Sequence, residues 1–200
     1  MNALKSTSIF TLALSLFFLT GCNNATQIKK PTPEQQAELI QTGKKIAAFS
    51  FKALSKEVID AINTGGVQHA VDFCHLNANP LIDSLSKSYN ARIQRISDQP
   101  RNPQNQPDAL DLAIIDAYKK QITAGQELQA HLENTGSEII FYSPIIILNP
   151  LCLNCHGEPG STAEQVNIDF IKTKYPEDKA VGYKLGDLRG VWKIVLSPES

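Results

Sequence analysis

Apolar residues recur at helical spacing along much of the first half of the chain, which predicts helices there. Thr32–Gln35 has the pattern of a helix start, because threonine can cap, proline suits the first turn and glutamine can complete a capping box. We expect the first helix to end at Gly65–Gly66, since glycine readily adopts the conformations that terminate helices. A second helix is predicted over residues 67–77, and Asn79–Pro80 favours a restart through Leu85.

The pattern changes to alternation and to isoleucine-rich runs later in the chain. Alternating residues in Arg92–Ile96 predict a short strand. Asp108 can cap a third helix, which we expect to reach about residues 134–136. Glu138–Leu148 predicts one or two strands interrupted by its proline, and Gly190–Leu196 predicts a final strand. Helices first and strands late favour an α+β fold, with long N-terminal helices packed against an antiparallel sheet.

Composition fits one compact domain. The chain has 200 residues, a formal net charge of -1 and 42% hydrophobic residues, which is enough for one core. Neither sign of charge is in excess, so nothing indicates binding to nucleic acid. We expect a single domain over residues 32–200, preceded by a polar, flexible tether over residues 23–31.

The N-terminus has the layout of a bacterial lipoprotein signal. Met1–Ser8 carries one lysine, Ile9–Leu19 is apolar, and the Leu-Thr-Gly-Cys that ends at Cys22 resembles a lipobox, in which the cysteine is acylated. The apolar run is shorter than the ~20 residues of a membrane-spanning helix. An ordinary signal peptide with a chance cysteine is the alternative. We expect residues 1–22 to be a signal peptide, Cys22 to be lipidated, and the exported protein to be anchored on the periplasmic side, with Asn23 favouring the outer membrane.

A Cys-x-x-Cys-His motif is formed by Cys152, Cys155 and His156, and its chance occurrence in such a chain is on the order of one in a thousand. Two thiols at this spacing add across the vinyl groups of haem, and the adjacent histidine then lies under the iron. A redox-active thiol pair would not need the histidine, and a zinc site would need a second ligand pair. We therefore expect one covalently attached haem c, held by Cys152 and Cys155, with His156 on the iron.

The ligand on the other side of the iron is less constrained. The one methionine of the chain is Met1, which leaves with the signal peptide, so methionine ligation is excluded. The remaining candidates are an open position, a lysine, or one of four side chains: His69, His75, His131 and Cys74.

Helical spacing ranks these side chains. An apolar stripe on the predicted second helix consists of Val67, Ala70, Val71, Cys74 and Ala78. Cys74 lies in the middle of this stripe, His75 at its edge and His69 on the opposite side. His131 would share a face with Leu128 and Leu132 on the predicted third helix. A lone buried cysteine is also often an inert small hydrophobe, so these residues alone leave the ligand open.

Four parts of the chain resemble a family of PAS-like c-type haem domains, long catalogued as a domain of unknown function. They follow one another over most of the predicted domain: Ala70–Cys74, Arg95–Ser97 with Arg101–Pro107, Cys152–Gly157 and Lys179–Gly190. The resemblance implies a PAS-like sheet around one six-coordinate haem, with a cysteine thiolate opposite the motif histidine. It therefore implies Cys74 as the axial ligand. His75 departs from the family pattern and is an alternative axial ligand, as is His131.

Four arginines are candidates for pairing with the haem propionates, because a planar cation pairs well with carboxylate: Arg92, Arg95, Arg101 and Arg189. We favour Arg95 or Arg101 for this role and expect Arg92 at the surface. No Ser-His-Asp group or carboxylate pair stands out, so we expect neither catalytic residues nor enzyme activity.

Two functions agree with these expectations. The resemblance favours a redox or gas sensor that passes its signal to a separate protein, since thiolate ligation suits a switch. A periplasmic electron carrier with a stable six-coordinate haem is the alternative. In either case we expect a redox or signalling protein as partner, and homodimerisation is a further option.

Overall fold

The computed structural model describes residues 28–196. The predicted signal peptide with Cys22 lies outside the described residues, as does most of the predicted tether. The described part is a mixed α+β domain, in which a long helix, α1, packs against a four-stranded antiparallel sheet. The predicted fold class is confirmed. Within residues 28–196, no helix is both long and apolar enough to cross a membrane.

Helix α1 spans Pro33–Ser88 and reverses direction near its middle. At Gly65–Gly66 the backbone leaves the helical conformation, and the second glycine has a φ of 75°, which glycine adopts without strain. The ring centroids of Phe49 and Tyr89 lie 5.8 Å apart, so the two arms of α1 run side by side as a hairpin. The predicted helix end at the glycines is confirmed. No restart occurs at Asn79–Pro80, because the second arm is continuous there.

Four strands form the sheet in the spatial order β1-β4-β3-β2, with every neighbouring pair antiparallel. They are β1 (Ala91–Ile96), β2 (His131–Asn134), β3 (Ile139–Ile146) and β4 (Leu188–Leu196). The predicted first and last strands are confirmed. Strand β3 continues through Pro144, which faces Val191 of β4. Because β2 pairs with residues 139–142, the proline lies beyond that pairing, where a missing N–H is tolerated.

Three further helices complete the described part of the chain: α2 (Ala109–Thr123), α3 (Leu153–His156) and α4 (Gln165–Lys174), with short 3-10 turns at Pro103–Asn105 and Pro150–Cys152. Asp108 caps α2 as predicted, accepting a hydrogen bond from the N–H of Asp111 at 2.8 Å. The predicted extension of this helix to about residue 136 is wrong. The chain forms β2 there, because pairing with β3 places Leu132 opposite Phe141 and outweighs the local helical pattern.

The sheet is buried on both faces. On one face, α1 approaches so closely that a Cβ at Gly43 would lie 2.2 Å from the ring of Phe141. Trp192 of β4 is 4% exposed on this face. On the other face, Ile115 of α2 packs in a cluster with Tyr142. The Cys-x-x-Cys-His motif follows β3, and α4 packs between it and the second arm of α1.

Candidate functional site

The Cys-x-x-Cys-His motif forms a tight helical turn shortly after β3. Asn149 caps the turn by accepting a hydrogen bond from the N–H of Leu151 at 2.9 Å. Cys152 ends the 3-10 turn and α3 follows at once, so Cys152 and Cys155 lie about one helical turn apart on the same side. Both cysteines are half-buried, and their thiols are free. The two thiols can therefore react with a single bound group.

The segment Ala180–Tyr183 runs along the end of the motif. The N–H of Gly182 donates to the carbonyl of Gly157, and the N–H of Tyr183 donates to the carbonyl of His156, both at 2.9 Å. Gly157 has no room for a side chain, since a Cβ there would lie 2.2 Å from a threonine hydroxyl oxygen. Residues 180–183, which belong to the family-like segment Lys179–Gly190, therefore lie against the motif histidine and the residue that follows it. We call this segment, Ala180–Tyr183, the bracket.

His156 is held in one orientation by a backbone carbonyl. Its Nδ1 lies 2.8 Å from the carbonyl oxygen of Ala180, and because a carbonyl accepts, Nδ1 carries the hydrogen. In the neutral ring, Nε2 then keeps the lone pair that binds a metal. Burial lowers the pKa of His156 well below 6.5, and the charges of Arg101 and Arg189 lower it further. His156 is therefore neutral, and the lone pair of its Nε2 could bind a metal.

Cys74 lies on the second arm of α1, in the predicted apolar stripe. Its stripe neighbours Ala70, Val71 and Ala78 are 2%, 3% and 4% exposed, which confirms the buried face. Val71 belongs to a cluster with residues of α4, and Cys155 packs against the same cluster. The stripe therefore brings Cys74 and the motif to the same region of the molecule.

Arg95 is a half-buried cation beside Cys74. Within residues 28–196 its guanidinium has no hydrogen-bond or ion-pair partner, although it interacts electrostatically with Cys74 and Tyr175. Burial raises the pKa of Cys74, and the charges of Arg95 and Arg101 oppose that rise. Burial also raises the pKa of Tyr175 to about 12, and the charge of Cys74 adds to this rise. Arg95 thus places an uncompensated positive charge next to Cys74.

Arg101 joins three segments of the site. Its Nε donates to Oδ1 of Asp178 at 3.2 Å, and its Nη2 lies 3.1 Å from Oδ2 of the same carboxylate. The same Nη2 donates to the carbonyl oxygens of Cys155 at 2.6 Å and Ala180 at 3.2 Å. The side chains of Arg101 and Asp178 are 13% and 2% exposed. Because protein acceptors already engage this guanidinium, Arg95 is better placed to pair with an added carboxylate.

A third arginine, Arg189, stacks on Tyr183, with its Cζ 5.5 Å from the ring centroid. Its Nη1 donates to Oγ of Ser97 at 3.0 Å. In the described part of the chain, Nε of Arg189 and the hydroxyl of Tyr183 are buried without a hydrogen-bond partner. The ring of Tyr183 lies edge-on to that of His156, 6.2 Å away. Two unsatisfied polar groups therefore lie near the motif histidine, where a bound group can satisfy them.

The remaining candidates near α1 and β1 lie at the surface. His75 is exposed, and its ring packs edge-on against Tyr175 with centroids 5.2 Å apart. His69 is also exposed, as predicted. Arg92 pairs with Glu138 at 3.0 Å and is 55% exposed, so its predicted place at the surface is confirmed.

His131 lies in β2, so its predicted position on a helix beside Leu128 and Leu132 is wrong. The cause is the pairing of β2 with β3, which places His131 opposite Tyr142. Its Nε2 lies 2.9 Å from Glu133, and its ring centroid lies 6.4 Å from that of Tyr142, whose side chain belongs to the cluster under α2. The structure therefore brings His75, but not His131, close to Cys74.

The chain also matches a known protein family. A family model described as Tll0287-like (Tll0287) matches residues 23–197. The chain belongs to the Tll0287-like family. Its fold is similar to the crystal structure of the cyanobacterial heme-protein Tll0287, with a TM-score of 0.58 and 20% sequence identity, over 84% of this chain and 98% of that one. No curated protein matches the sequence.

The structure of this Tll0287-like domain adds site residues that the sequence did not reveal. Asp178 anchors Arg101, and the Ala180 carbonyl orients His156. Asp178 directly precedes the family-like segment 179–190, and this position was only a weak indication that Asp178 belongs to the site. An acidic residue in a loop has no spacing that identifies its partner, and a carbonyl acceptor has no side-chain signature at all.

Proposed function

We propose that this protein is a c-type haem protein, with one haem attached through Cys152 and Cys155 and with His156 as an axial iron ligand. The observation that carries the proposal is the hydrogen bond from Nδ1 of His156 to the Ala180 carbonyl at 2.8 Å, which leaves Nε2 for iron. Two free thiols on the same turn supply the covalent attachment. The similar fold is that of a heme-protein, which supports the same cofactor here.

Polar groups around the motif fit the two carboxylates that haem carries. Among residues 28–196, Arg95 lacks a counterion, and Nε of Arg189 and the hydroxyl of Tyr183 lack hydrogen-bond partners. Propionates are suitable acceptors for such donors. No group of three or more His, Cys, Asp or Glu side chains in the described region can hold a metal by itself, so the porphyrin would supply the other iron ligands. We propose Arg95, in preference to Arg101, as a propionate partner.

Cys74 is our proposal for the second axial ligand. Its stripe on α1 faces the cluster that also receives Cys155. Burial opposes the loss of a proton from Cys74, whereas Arg95 and Arg101 favour it, and ferric iron would add the positive charge that completes deprotonation. A thiolate ligand favours ferric over ferrous iron and lowers the reduction potential relative to a methionine ligand.

Redox or gas sensing suits this pair of ligands best. Ferrous iron favours a thiolate less than ferric iron does, so reduction of a bound haem would favour protonation and release of Cys74. The released position can take a gas molecule, or His75, which follows Cys74 directly. Because Cys74 belongs to α1, its release would loosen the second arm of α1, which packs against α4 beside the motif. Lipid attachment at Cys22 would hold this non-enzymatic domain at the periplasmic face of the membrane, within reach of a separate signalling protein.

An electron carrier is the second candidate, and the bracket around His156 favours it. The Ala180–Tyr183 segment fixes the histidine through hydrogen bonds of 2.8 to 2.9 Å. A fixed ligand reduces structural change on electron transfer. A carrier would, however, also need to keep Cys74 bound in both iron states.

The test compares the ferric wild-type protein, matured with its haem, with Cys74→Ser and with His75→Ala as the matched control. We expect visible and electron paramagnetic resonance spectra of a low-spin thiolate complex in the wild type and in His75→Ala, and loss of that signature in Cys74→Ser. Carbon monoxide added after reduction then separates the two functions. Binding by the wild type supports sensing, whereas binding by Cys74→Ser alone supports the carrier.

Two outcomes contradict the proposal at different levels. Identical spectra for the wild type and Cys74→Ser would remove Cys74 from the iron. Failure of the wild type to retain haem after denaturation would remove covalent attachment altogether.

A further inference from the structure

Arg101 makes contacts that binding a propionate would not require. Its guanidinium donates to one carbonyl in the motif, that of Cys155, and to one in the bracket, that of Ala180. We propose that Arg101, held by Asp178, is a positioning residue that sets the hydrogen bond between His156 and the Ala180 carbonyl, an inference that rests on the proposed function of His156 as iron ligand.

The carbonyl oxygen of Ala180 is the shared point of these contacts. It accepts from Nδ1 of His156 at 2.8 Å and from Nη2 of Arg101 at 3.2 Å. Oδ1 of Asp178 accepts from Nε of Arg101 at 3.2 Å and from the N–H of Ala180 at 2.8 Å. A closed set of hydrogen bonds therefore fixes the acceptor on which the orientation of His156 depends.

A cation on this carbonyl changes what the carbonyl does for the histidine. Donation from Arg101 polarises the Ala180 oxygen and makes it a weaker acceptor for the Nδ1 hydrogen of His156. The imidazole then carries less negative character and donates less charge to iron. The guanidinium also adds a positive charge beside the motif. Both effects favour ferrous iron, so Arg101 raises the reduction potential that a thiolate ligand lowers.

The loop that carries Arg101 is also held by hydrogen bonds that do not involve this side chain. Oδ1 of Asn102 accepts from the N–H of Gln104 at 3.0 Å, and the N–H of Ser97 donates to the carbonyl of Asn105 at 3.1 Å. We expect these local bonds to remain when Arg101 is replaced. A substitution of Arg101 removes its contacts to the motif and to the bracket. It therefore tests the effect of these contacts on His156 apart from the shape of the loop.

The test measures the reduction potential and the ferric electron paramagnetic resonance spectrum of the haem-loaded full chain. Arg101→Gln removes the charge, and Arg101→Lys keeps the charge but not the fork that reaches two carbonyls and a carboxylate. Arg92→Gln is the matched control, because Arg92 is exposed and pairs with Glu138. We expect Arg101→Gln to raise the ferric-to-ferrous ratio about tenfold at a fixed ambient potential, a shift of about 59 mV.

The lysine variant separates charge from position. We expect Arg101→Lys to keep most of the potential while changing the g values, because the ring of His156 is less firmly fixed. Asp178→Asn is expected to change the g values in the same way. If Arg101→Gln does not fold, the g values of Asp178→Asn test the positioning role instead. The control should match the wild type in both measurements.

Three results would overturn the inference. Wild-type potential and g values in Arg101→Gln would show that the contacts have no influence on His156. Wild-type values in both Arg101→Lys and Asp178→Asn would reduce Arg101 to a charge without a positioning role. A wild-type chain that attaches no haem would overturn the proposed function itself, and this result is recognised before any variant is compared.

Discussion

Two clusters of buried charge differ in whether their charges are matched. Under α2, Lys193 of β4 is 7% exposed and lies 2.9 Å from Asp108 and 2.8 Å from Asp111. The hydroxyl of Tyr142 donates to Asp111 at 2.7 Å. Burial alone would lower the pKa of Lys193, but its hydrogen bonds to Asp111 and Asp108 outweigh burial and raise the pKa above 10.5. In this closed cluster, the charges find their partners within the fold.

The cluster beside the motif is open by comparison. Among the residues that the structure describes, Arg95 has no counterion, and Nε of Arg189 and the hydroxyl of Tyr183 have no hydrogen-bond partner. Burial lowers the pKa of both arginines. A closed network contributes to a unique, rigid fold, whereas unmatched buried charge costs stability until a group of opposite charge binds. The difference distinguishes charge used for structure from charge used for binding.

Breaking the closed cluster is expected to change the free energy of unfolding more than any other substitution proposed below. Lys193→Met leaves Asp111, which is 2% exposed, as a buried carboxylate without its cation. We expect the free energy of unfolding to fall by roughly 3–5 kcal/mol, because an uncompensated charge remains in the interior. Urea unfolding followed by circular dichroism measures the loss.

Lys56→Met is the matched control for this substitution. Lys56 pairs with Asp60 across the surface of α1, and its side chain is 67% exposed. We expect no measurable change in the free energy of unfolding there, because solvent screens an exposed ion pair. A loss below about 1 kcal/mol in Lys193→Met would mean that Asp111 is reached by water or becomes protonated, and the cluster would not be closed.

Removing the charge of Arg95 from the open cluster should change the free energy of unfolding, and the sign of the change depends on whether haem is attached. In a Cys152→Ser/Cys155→Ser background, which cannot attach haem, Arg95→Met removes an unmatched charge and is expected to leave stability unchanged or to raise it. In the haem-loaded chain the same substitution removes a propionate partner and is expected to cost about 1–3 kcal/mol. Urea unfolding of both pairs of proteins measures the difference. Equal destabilisation in both backgrounds would assign Arg95 to structure.

Replacing Asp108, at the exposed end of the closed cluster, is expected to change the free energy of unfolding least. The side chain of Asp108 is 60% exposed, and its pKa is lowered below 3.8, first by the N–H of Asp111 and then by Lys193. A lowered pKa stabilises the fold above the unfolded-state value, and this stabilisation is lost as pH falls through the folded-state value. Asp108→Asn keeps the cap without the charge, so we expect a loss of about 0.5 kcal/mol at neutral pH.

This loss should disappear well below pH 3.8, where both proteins are neutral at the site. Urea midpoints across an acidic pH series provide the measurement. A difference that stays constant with pH would come from the cap and not from the charge.

The ends of elements were predictable where the signal is local. The start of α1 at Pro33, its reversal at Gly65–Gly66 and the start of α2 after Asp108 follow from caps and from glycine, which act within one turn. The end of α2 was not predictable in this way. Residues 131–134 become a strand because β3 is available as a partner, and no local pattern carries that information.

The amino-acid sequence by itself determined the fold class, the Cys-x-x-Cys-His motif and the buried stripe that contains Cys74, because each depends on spacing along the chain. The tertiary structure decided the roles of the arginines. Arg95 and Arg101 were equivalent candidates in the sequence, yet Arg101 is bound by Asp178, 77 residues further along. Arg95 has no counterion among the residues that the structure describes. The partner of a charge is set by distance in space and by burial, and neither is encoded in local sequence.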